Sequence, residues 1–524
     1  MGFSDMTASL KRLISGENNP RYTAIPASNS VTDGGNVQIQ SSGSRWLPQN
    51  RRLLRVLGAL VFVTLVVHLG VVLWRITNCK VTGNCQEEDH TQLWGQYSPF
   101  YPVPSDFDRD VPAQCEVTFA QVLSRHGSRD PTVHKSAAYR ELLAQIQETV
   151  EDYAQGYEFI RDHKYTLGAD QLTAYGRREM KVSGTAFYRR YRALAASSEP
   201  FVRVSGQQRV IDSGLEWMDG FLEAKQADGH EVPGAERADW EGRIVVVPEE
   251  EGTNNTLSHG LCSEFEEGPF SRLGGEAQTE WRDVFMPPVA ARVNAHLPGA
   301  NLTHSELVYL MDLCPFSTVA DPDLTLSPFC GLFTLDEWRD YDYYQTVGKY
   351  YAYNEGNPLG PTQGVGFVNE LVARLTGRPV QDRTSTNETL VGDEETFPLG
   401  RALYADFSHD NDMMGIYGAL GLYGEEATGG PLPKAERLSA LEAGGFASRW
   451  TVPFGARMYV EKMRCGMIRG GEDEDEELVR ILVNDRVVPL AGCGADRLGR
   501  CRLSAFVDSL EFARNGGRWD ECWI

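Results

Sequence analysis

Positive charge is scarce in this chain. Its 524 residues carry 50 Lys and Arg against 73 Asp and Glu, a formal net charge of −23 at pH 7. Such a balance excludes a nucleic-acid-binding surface and any capture of anions by a global field. An anionic ligand would have to be held by locally clustered arginines, and acid pH would lessen the repulsion by protonating carboxylates. No His/Cys cluster has metal-ligand spacing, so no metal and no other cofactor is expected. No internal repeat recurs. Residues 1–52 lack sustained hydrophobic periodicity, are rich in Ser, Asn, Gly and Pro, and read as a disordered tail. Met6 stands where myristoylation needs Ser or Thr, which removes that signal, and Asn19-Pro20-Arg21-Tyr22 reads as a turn rather than a sorting motif.

What the chain does have is concentrated in Arg125-His126-Gly127-Ser128-Arg129-Asp130-Pro131, immediately after the apolar run Val117 to Leu123. Arginine offers a planar fork of donors that matches pairs of phosphate oxygens and stays charged at any working pH. Between Arg125 and Arg129, His126 should lose its proton more easily, leaving a ring nitrogen free to attack phosphorus even in acid. The five fixed residues of R-H-G-x-R-x-P are expected by chance in roughly one of several thousand sequences of this length.

A second motif, Ser408-His409-Asp410-Asn411, follows another largely apolar run, Ala402 to Phe407. Both motifs sit just beyond a predicted strand, and ligands of open α/β sheets bind outside the carboxyl ends of strands. Two loops nearly 300 residues apart can therefore share one pocket. His409 would donate to the phosphate and Asp410 would protonate the leaving oxygen.

The two motifs together resemble the histidine acid phosphatases, and the text around them is similar to the fungal phytases. Leu93 to Phe100, Val117 to Gly127, Tyr165 to Asp170, Gly356 to Phe367, Ala405 to Asn411 and Val483 to Leu490 carry the resemblance, which covers roughly residues 79 to 524. It implies an α/β histidine-phosphatase domain, phosphoglycerate mutase-like, with a largely α-helical inserted domain roughly within 140–345 and the active site between the two. It also implies hydrolysis of phytate or related inositol phosphates at acid pH. His126 would be the phosphorylated nucleophile, Asp410 the proton donor, and Arg125, Arg129, Arg209 and His409 the phosphate ligands. The substrate rim implied is Gln96, Tyr97, Lys135, Asp312, Lys349 and Asn411. The chain departs from the phytase pattern in Ser128 and Asp130, which brings an extra carboxylate beside the pocket. It also carries Ala137, Ala138 and Gly348 where rim lysines often stand. This thinned rim makes a broad-specificity acid phosphatase the alternative reading. An inert phosphate-ester-binding ectodomain would require loss of an essential residue, and all six core residues are present.

Ten cysteines, an even number, all lie between Cys79 and Cys522, with glycosylation sequons at Asn254, Asn301 and Asn387. The combination indicates an oxidising, secretory environment. By resemblance the pairs are Cys79 with Cys85, Cys115 with Cys465, Cys262 with Cys522, Cys314 with Cys330 and Cys493 with Cys501. Val56 to Trp74 runs 19 residues without Asp, Glu, Lys or Arg, enough at about 1.5 Å per residue to cross most of a hydrocarbon core. A cleaved signal peptide would start nearer residue 1. Arg45, Arg51, Arg52 and Arg55 before the run outweigh Arg75 and Lys80 after it, which predicts a cytoplasmic N-terminus. The expected layout is a tail over 1–52, a transmembrane helix over 53–75 and a lumenal or extracellular ectodomain over 76–524. That is a single-pass type II protein of the plasma membrane or vacuole, whose partners are the membrane and a small phosphate ester.

Before Val56 the chain carries seven Lys and Arg against three Asp and Glu, a balance of +4, which leaves −27 for the rest. A hydrophobic content of 41% gives that remainder material for a substantial core. Tyr139, Leu142, Leu143, Ile146 and Val150 fall on one helical face, while Ile244 to Val247 and Met458 to Val460 read as strand cores. Leu478 to Leu490 predicts a hairpin about Asn484-Asp485. Ser504 is expected to cap a last helix that stops at Gly516. Glu472 to Glu477 reads as a solvated loop.

Overall fold

The apolar runs ahead of the two motifs become neighbouring strands. The computed structural model describes residues 89–232, 237–466 and 477–523, and the elements that position the site follow in chain order. They are β1 (Cys115–Arg125), α1 (Val133–Thr149), α2 (Ala174–Arg190), β2 (Phe201–Ser205), α3 (Gln208–Ala227) and β3 (Val245–Val247). Next come α4 (Leu273–His296), α5 (His304–Ala320), α6 (Leu335–Tyr353), α7 (Val365–Thr376), β4 (Leu403–Ser408) and α8 (Asp410–Ala419). The last are β5 (Arg457–Cys465), β6 (Glu477–Val483), β7 (Arg486–Val487), β8 (Arg500–Arg502) and α9 (Leu503–Ser509).

The strands form one sheet in the order β3-β2-β4-β1-β5-β6-β7, with β8 on β6. The first four are parallel, and β5 turns the sheet antiparallel beside β1. Ala120, Val122, Val204 and Phe407 pack on one face against Met180 and Phe187 of α2 and Trp217 and Phe221 of α3. Phe119, Leu123 and Tyr404 pack on the other against Val368 and Leu371 of α7 and Met413 and Tyr417 of α8. With both faces covered, β1 and β4 read as continuous apolar runs instead of alternating ones. Beneath the motifs the fully buried Asp406 of β4 accepts from Arg203 Nε of β2 at 2.9 Å and from Arg374 Nη1 of α7 at 2.6 Å. A buried carboxylate is tolerable only with such partners, so this pairing ties two strands and a helix together.

A third core is built mainly from helices: Tyr139, Leu142 and Ile146 of α1, Trp281 and Phe285 of α4, Leu310 and Met311 of α5, and Trp338 and Tyr341 of α6. Burying each large side chain contributes about 1.5–3 kcal/mol, so this layer holds together on its own packing. Within 140–345 the chain also sends β2 and β3 to the main sheet. The helical layer is thus assembled from α1 and from α4 to α6, on either side of those strands.

Disulfides join Cys115 to Cys465, Cys262 to Cys522, Cys314 to Cys330 and Cys493 to Cys501. The first two span 350 and 260 residues of sequence and restrict the unfolded chain most. The expected Cys79 to Cys85 pair, the tail and the run Val56 to Trp74 lie outside the described residues. Among the described residues no helix is long and apolar enough to cross a membrane.

The hairpin turns where expected, with Asn484 at φ 50° and Asp485 at φ 66°, the double positive φ of a two-residue turn between twisted strands. Two expectations need correction. Ser504 does not cap a helix reaching Gly516: β8 pairs with β6 as far as Arg502, so Arg502 takes the N-cap position and Ser504 already lies inside α9. That helix ends at Ser509, and the chain then forms short turns over Glu511–Arg514 and Trp519–Trp523. Glu477 is also not loop: it opens β6 and pairs with Lys462 Nζ at 3.1 Å. Residues 472–476 lie outside the described residues.

Candidate active site

Four parallel strands deliver the site from one edge of the sheet. Arg125 ends β1 directly beside Ser408, which ends β4, so His126 and His409 emerge at the same level with ring centroids 5.7 Å apart. Arg209 follows four residues after β2 ends, in the first turn of α3, and Glu249 follows two residues after β3 ends. Convergence of loops from these strand ends is the geometry that open α/β sheets use for ligands.

The first motif is seated on the start of α2. Thr173 N donates to Ser128 O at 3.0 Å, and the Thr173 side chain caps α2 by accepting from Gly176 N at 3.0 Å. A Cβ on Gly127 would stand 2.5 Å from Gly176 O, and one on Gly176 would stand 1.9 Å from Ser128 O. Only glycine lets the two backbones approach this closely. Glu179 Oε2, one helical turn on, accepts from both Ser128 N (2.9 Å) and Ser128 Oγ (3.0 Å).

His126 is held in one tautomer. Its Nδ1 lies 2.9 Å from Gly127 O, a carbonyl that can only accept, so Nδ1 carries the proton and the lone pair is on Nε2. Burial, and then the charges of Arg125, Arg209 and Arg129, hold the imidazole well below its ordinary pKa. The ring therefore stays neutral and nucleophilic in acid.

Arg125 is fully buried, lies with its guanidinium carbon 4.5 Å from the centre of the Phe454 ring, and donates from Nη1 to Gln96 O and Val452 O. Its Nη2 and Nε, together with Arg129 Nε and Arg209 Nε, are buried without a hydrogen-bond partner in the protein. Unpaired buried donors are costly. Here they belong to the three arginines whose charges act on His126, which makes the pocket complementary to a multiply charged oxyanion.

His409 Nε2 donates to Glu249 Oε1 at 2.9 Å. Burial by itself would raise the Glu249 carboxyl, but the hydrogen bond and charge of His409 outweigh it and hold the group at about 2. His409 also occupies the N-cap position of α8, where the helix end favours negative charge. Asp410 opens that helix, with Oδ2 2.6 Å from Lys349 Nζ of α6 and 3.4 Å from Arg125 Nη2. Burial opposes its ionisation, yet Arg125 and Lys349 prevail and keep it well below the usual carboxylate range.

The expected rim is largely committed elsewhere. Asp312 is fully buried and accepts from Lys135 Nζ (2.8 Å), Tyr139 OH (2.5 Å) and Tyr341 OH. It serves as the acceptor that joins α1, α5 and α6. Lys135 also donates to Tyr97 OH at 3.0 Å, so its charge is already countered by Asp312. Gln96 is buried and donates to Gln345 Oε1 at 2.8 Å, while Tyr97 is buried against Phe316. Lys349 faces inward to Asp410 and Asn411. The extra carboxylate of Asp130 accepts from Gly168 N at 3.1 Å, which fastens the Tyr165 to Asp170 loop.

Sequence reasoning missed Glu249, Glu179 and Gly176. Glu249 was within reach, because the strand-end rule that selects His126 and His409 also selects a carboxylate two residues past a predicted strand. The other two depend on where α2 docks, and no local pattern carries that.

The chain is similar to known proteins along most of its length. The model of the histidine phosphatase superfamily (branch 2) matches residues 116–484. Phytase A of Aspergillus fumigatus is 50% identical over 438 residues, 83% of this chain and 90% of that protein. Phytase A of Aspergillus oryzae is 49% identical over 437 residues, 83% of this chain and 91% of that protein. Among solved structures, the phytase from D. castellii superimposes with a TM-score of 0.65 at 20% identity, over 83% of this chain and 87% of that one. A multiple inositol polyphosphate phosphatase of Bifidobacterium longum, in complex with inositol hexasulfate, gives 0.54 at 13% identity over 80% and 97%. At those identities the two structures speak to the fold alone.

Proposed function

The chain belongs to branch 2 of the histidine phosphatase superfamily, and from that premise we propose that it hydrolyses phosphomonoesters, phytate first among them, through a phosphohistidine at His126. The observation that carries this reading is the neutral His126, its Nε2 lone pair left free by the Nδ1 bond to Gly127 O and flanked by guanidinium donors without a hydrogen-bond partner in the protein.

The phosphate oxygens would be held by Arg125, Arg129, Arg209 and His409. His126 Nε2 attacks phosphorus, an N–P bond forms, the ester P–O bond breaks, and the leaving alkoxide takes a proton from Asp410. A water then attacks the phosphohistidine, gives its proton to Asp410, and inorganic phosphate leaves. Asp410 is ionised in the free protein, so it must take up a proton as substrate binds. A phosphate against Arg125 neutralises part of the charge that depresses it, which raises its proton affinity at the moment the acid is needed. Acid pH supplies the proton.

One observation favours broad phosphomonoester specificity as the second reading. Lys135 and Lys349 are each bonded to a carboxylate, Asp312 and Asp410, leaving few free cations to hold further phosphates of an inositol. Phosphate release from phytate and from p-nitrophenyl phosphate at mildly acid pH separates the two. Strong preference for phytate supports the first, equal turnover supports the second, and silence on both defeats the enzyme reading.

We propose in addition that Val56 to Trp74 anchors the protein as a single type II span, with the 76–524 domain lumenal or extracellular. The uncharged run and its arginine flank support this, and the disulfides fit an oxidising compartment. Resistance to alkaline extraction from membranes, lost when 53–75 are deleted, is the expected result. Of the three sequons, Asn301 is exposed, whereas the Asn254 and Asn387 amides hydrogen-bond across neighbouring loops, so Asn301 is the acceptor proposed first.

A further inference from the structure

A cavity of about 840 Å³ lies at the other end of the strands that carry the active site. It opens beside Thr118 and Phe119 near the beginning of β1 and beside the residues that lead into β4. From Phe119 to His126 is seven residues, about 23 Å of strand at about 3.3 Å each, so no small molecule can reach both places.

The lining inverts the charge of the chain. Arg378, Arg401, Lys462, Arg464, Arg502 and Arg514 line it, with Glu477 and Asp508 the acids among the described residues, in a protein whose acids outnumber its bases 73 to 50. Glu477 is already shared by Lys462 at 3.1 Å and Arg464 at 3.7 Å, and Asp508 lies 3.5 Å from Arg514. Arg378 and Arg401 are exposed and have no ion pair among the described residues. Four segments supply the cations: the turn after α7, the turn before β4, the end of β5 and the stretch from β8 to the short turn Glu511–Arg514. Like charges gathered from four segments repel one another across the cleft unless an anion lies between them.

We propose that this cleft is a second binding site, separate from the catalytic pocket, for a small polyanion bearing two or more phosphate groups. Forked guanidinium donors suit phosphate oxygens in pairs, and cations spread around the cavity suit several phosphates better than one.

The test is calorimetric titration of the full chain, in detergent at acid pH and low ionic strength, with myo-inositol hexasulfate, an analogue the enzyme does not turn over. Two sites are expected. Arg129→Ala should remove one. Arg378→Glu with Arg401→Glu should weaken the other tenfold or more while turnover of p-nitrophenyl phosphate is unchanged. Arg378→Gln with Arg401→Gln guards against a folding effect and should give a smaller loss in the same site. A single site in the unmodified chain overturns the proposal, as does a second site indifferent to both arginine pairs. The same titration with phosphatidylinositol bisphosphate added to the detergent micelles then distinguishes a lipid headgroup, which fills the second site, from a free anion, for which the lipid leaves that site open.

Discussion

Glu249 and His409 share a 2.9 Å hydrogen bond that no motif announces. It joins the loop after β3 to the start of α8, and it fixes one ring nitrogen of His409 so that the imidazole cannot swing away from His126. Because Glu249 is held at about 2 against an ordinary 4.5, the pair stabilises the fold above the ordinary carboxylate pKa and the stabilisation is lost as pH falls towards 2. Glu249→Gln should cost about 2 kcal/mol at pH 5 and progressively less towards pH 2, as read by denaturant unfolding at both pH values. A cost independent of pH would show that the charge of Glu249 is irrelevant. The same variant should raise KM for a phosphomonoester, since His409 loses its orientation.

His126→Ala should lower kcat on the order of 10³-fold or more and abolish the alkali-stable phosphoprotein trapped from the unmodified enzyme. The buried, neutral imidazole also carries a signature in stability. Its pKa is lowered on folding, so below about 6.5 the unfolded chain binds a proton that the folded one refuses, and stability falls as pH falls. The alanine variant escapes that penalty. Unfolding measured at pH 8 and pH 4 should therefore show the variant gaining on the parent at the lower pH. Turnover that survives in the variant would defeat the phosphohistidine.

Lys349→Met removes the partner 2.6 Å from Asp410. The carboxyl should then rise from its depressed value, and the alkaline limb of kcat/KM should move to higher pH because Asp410 keeps its proton longer. An unmoved limb would mean that Asp410 is not the acid. Arg125, 3.4 Å away, remains to hold the side chain in place.

Cys314 and Cys330 are 16 residues apart and join two parts of the helical layer. Replacing both with Ser should cost about 3 kcal/mol, visible as a lower unfolding midpoint, with kcat and KM intact under native conditions. A change in KM would show that the helical layer transmits strain to the site.

The sequence by itself singled out the proposed nucleophile, because a histidine between two arginines behind an apolar run is a local pattern with a local physical meaning. His126, Arg125, Arg129, His409 and Asp410 all fall within two short segments, and a run buried on both faces reads as a strand without help from the rest of the chain. Tertiary structure decided which partners hold the two motifs in place. Glu249 and Glu179 become partners only because β3 and α2 are placed by packing, and Gly176 matters only because another backbone passes within van der Waals distance of it. Lys135 and Asp312, 177 residues apart, look like independent rim residues in the sequence. Folding pairs them, because a buried carboxylate needs cations and hydroxyls from wherever in the chain the core brings them.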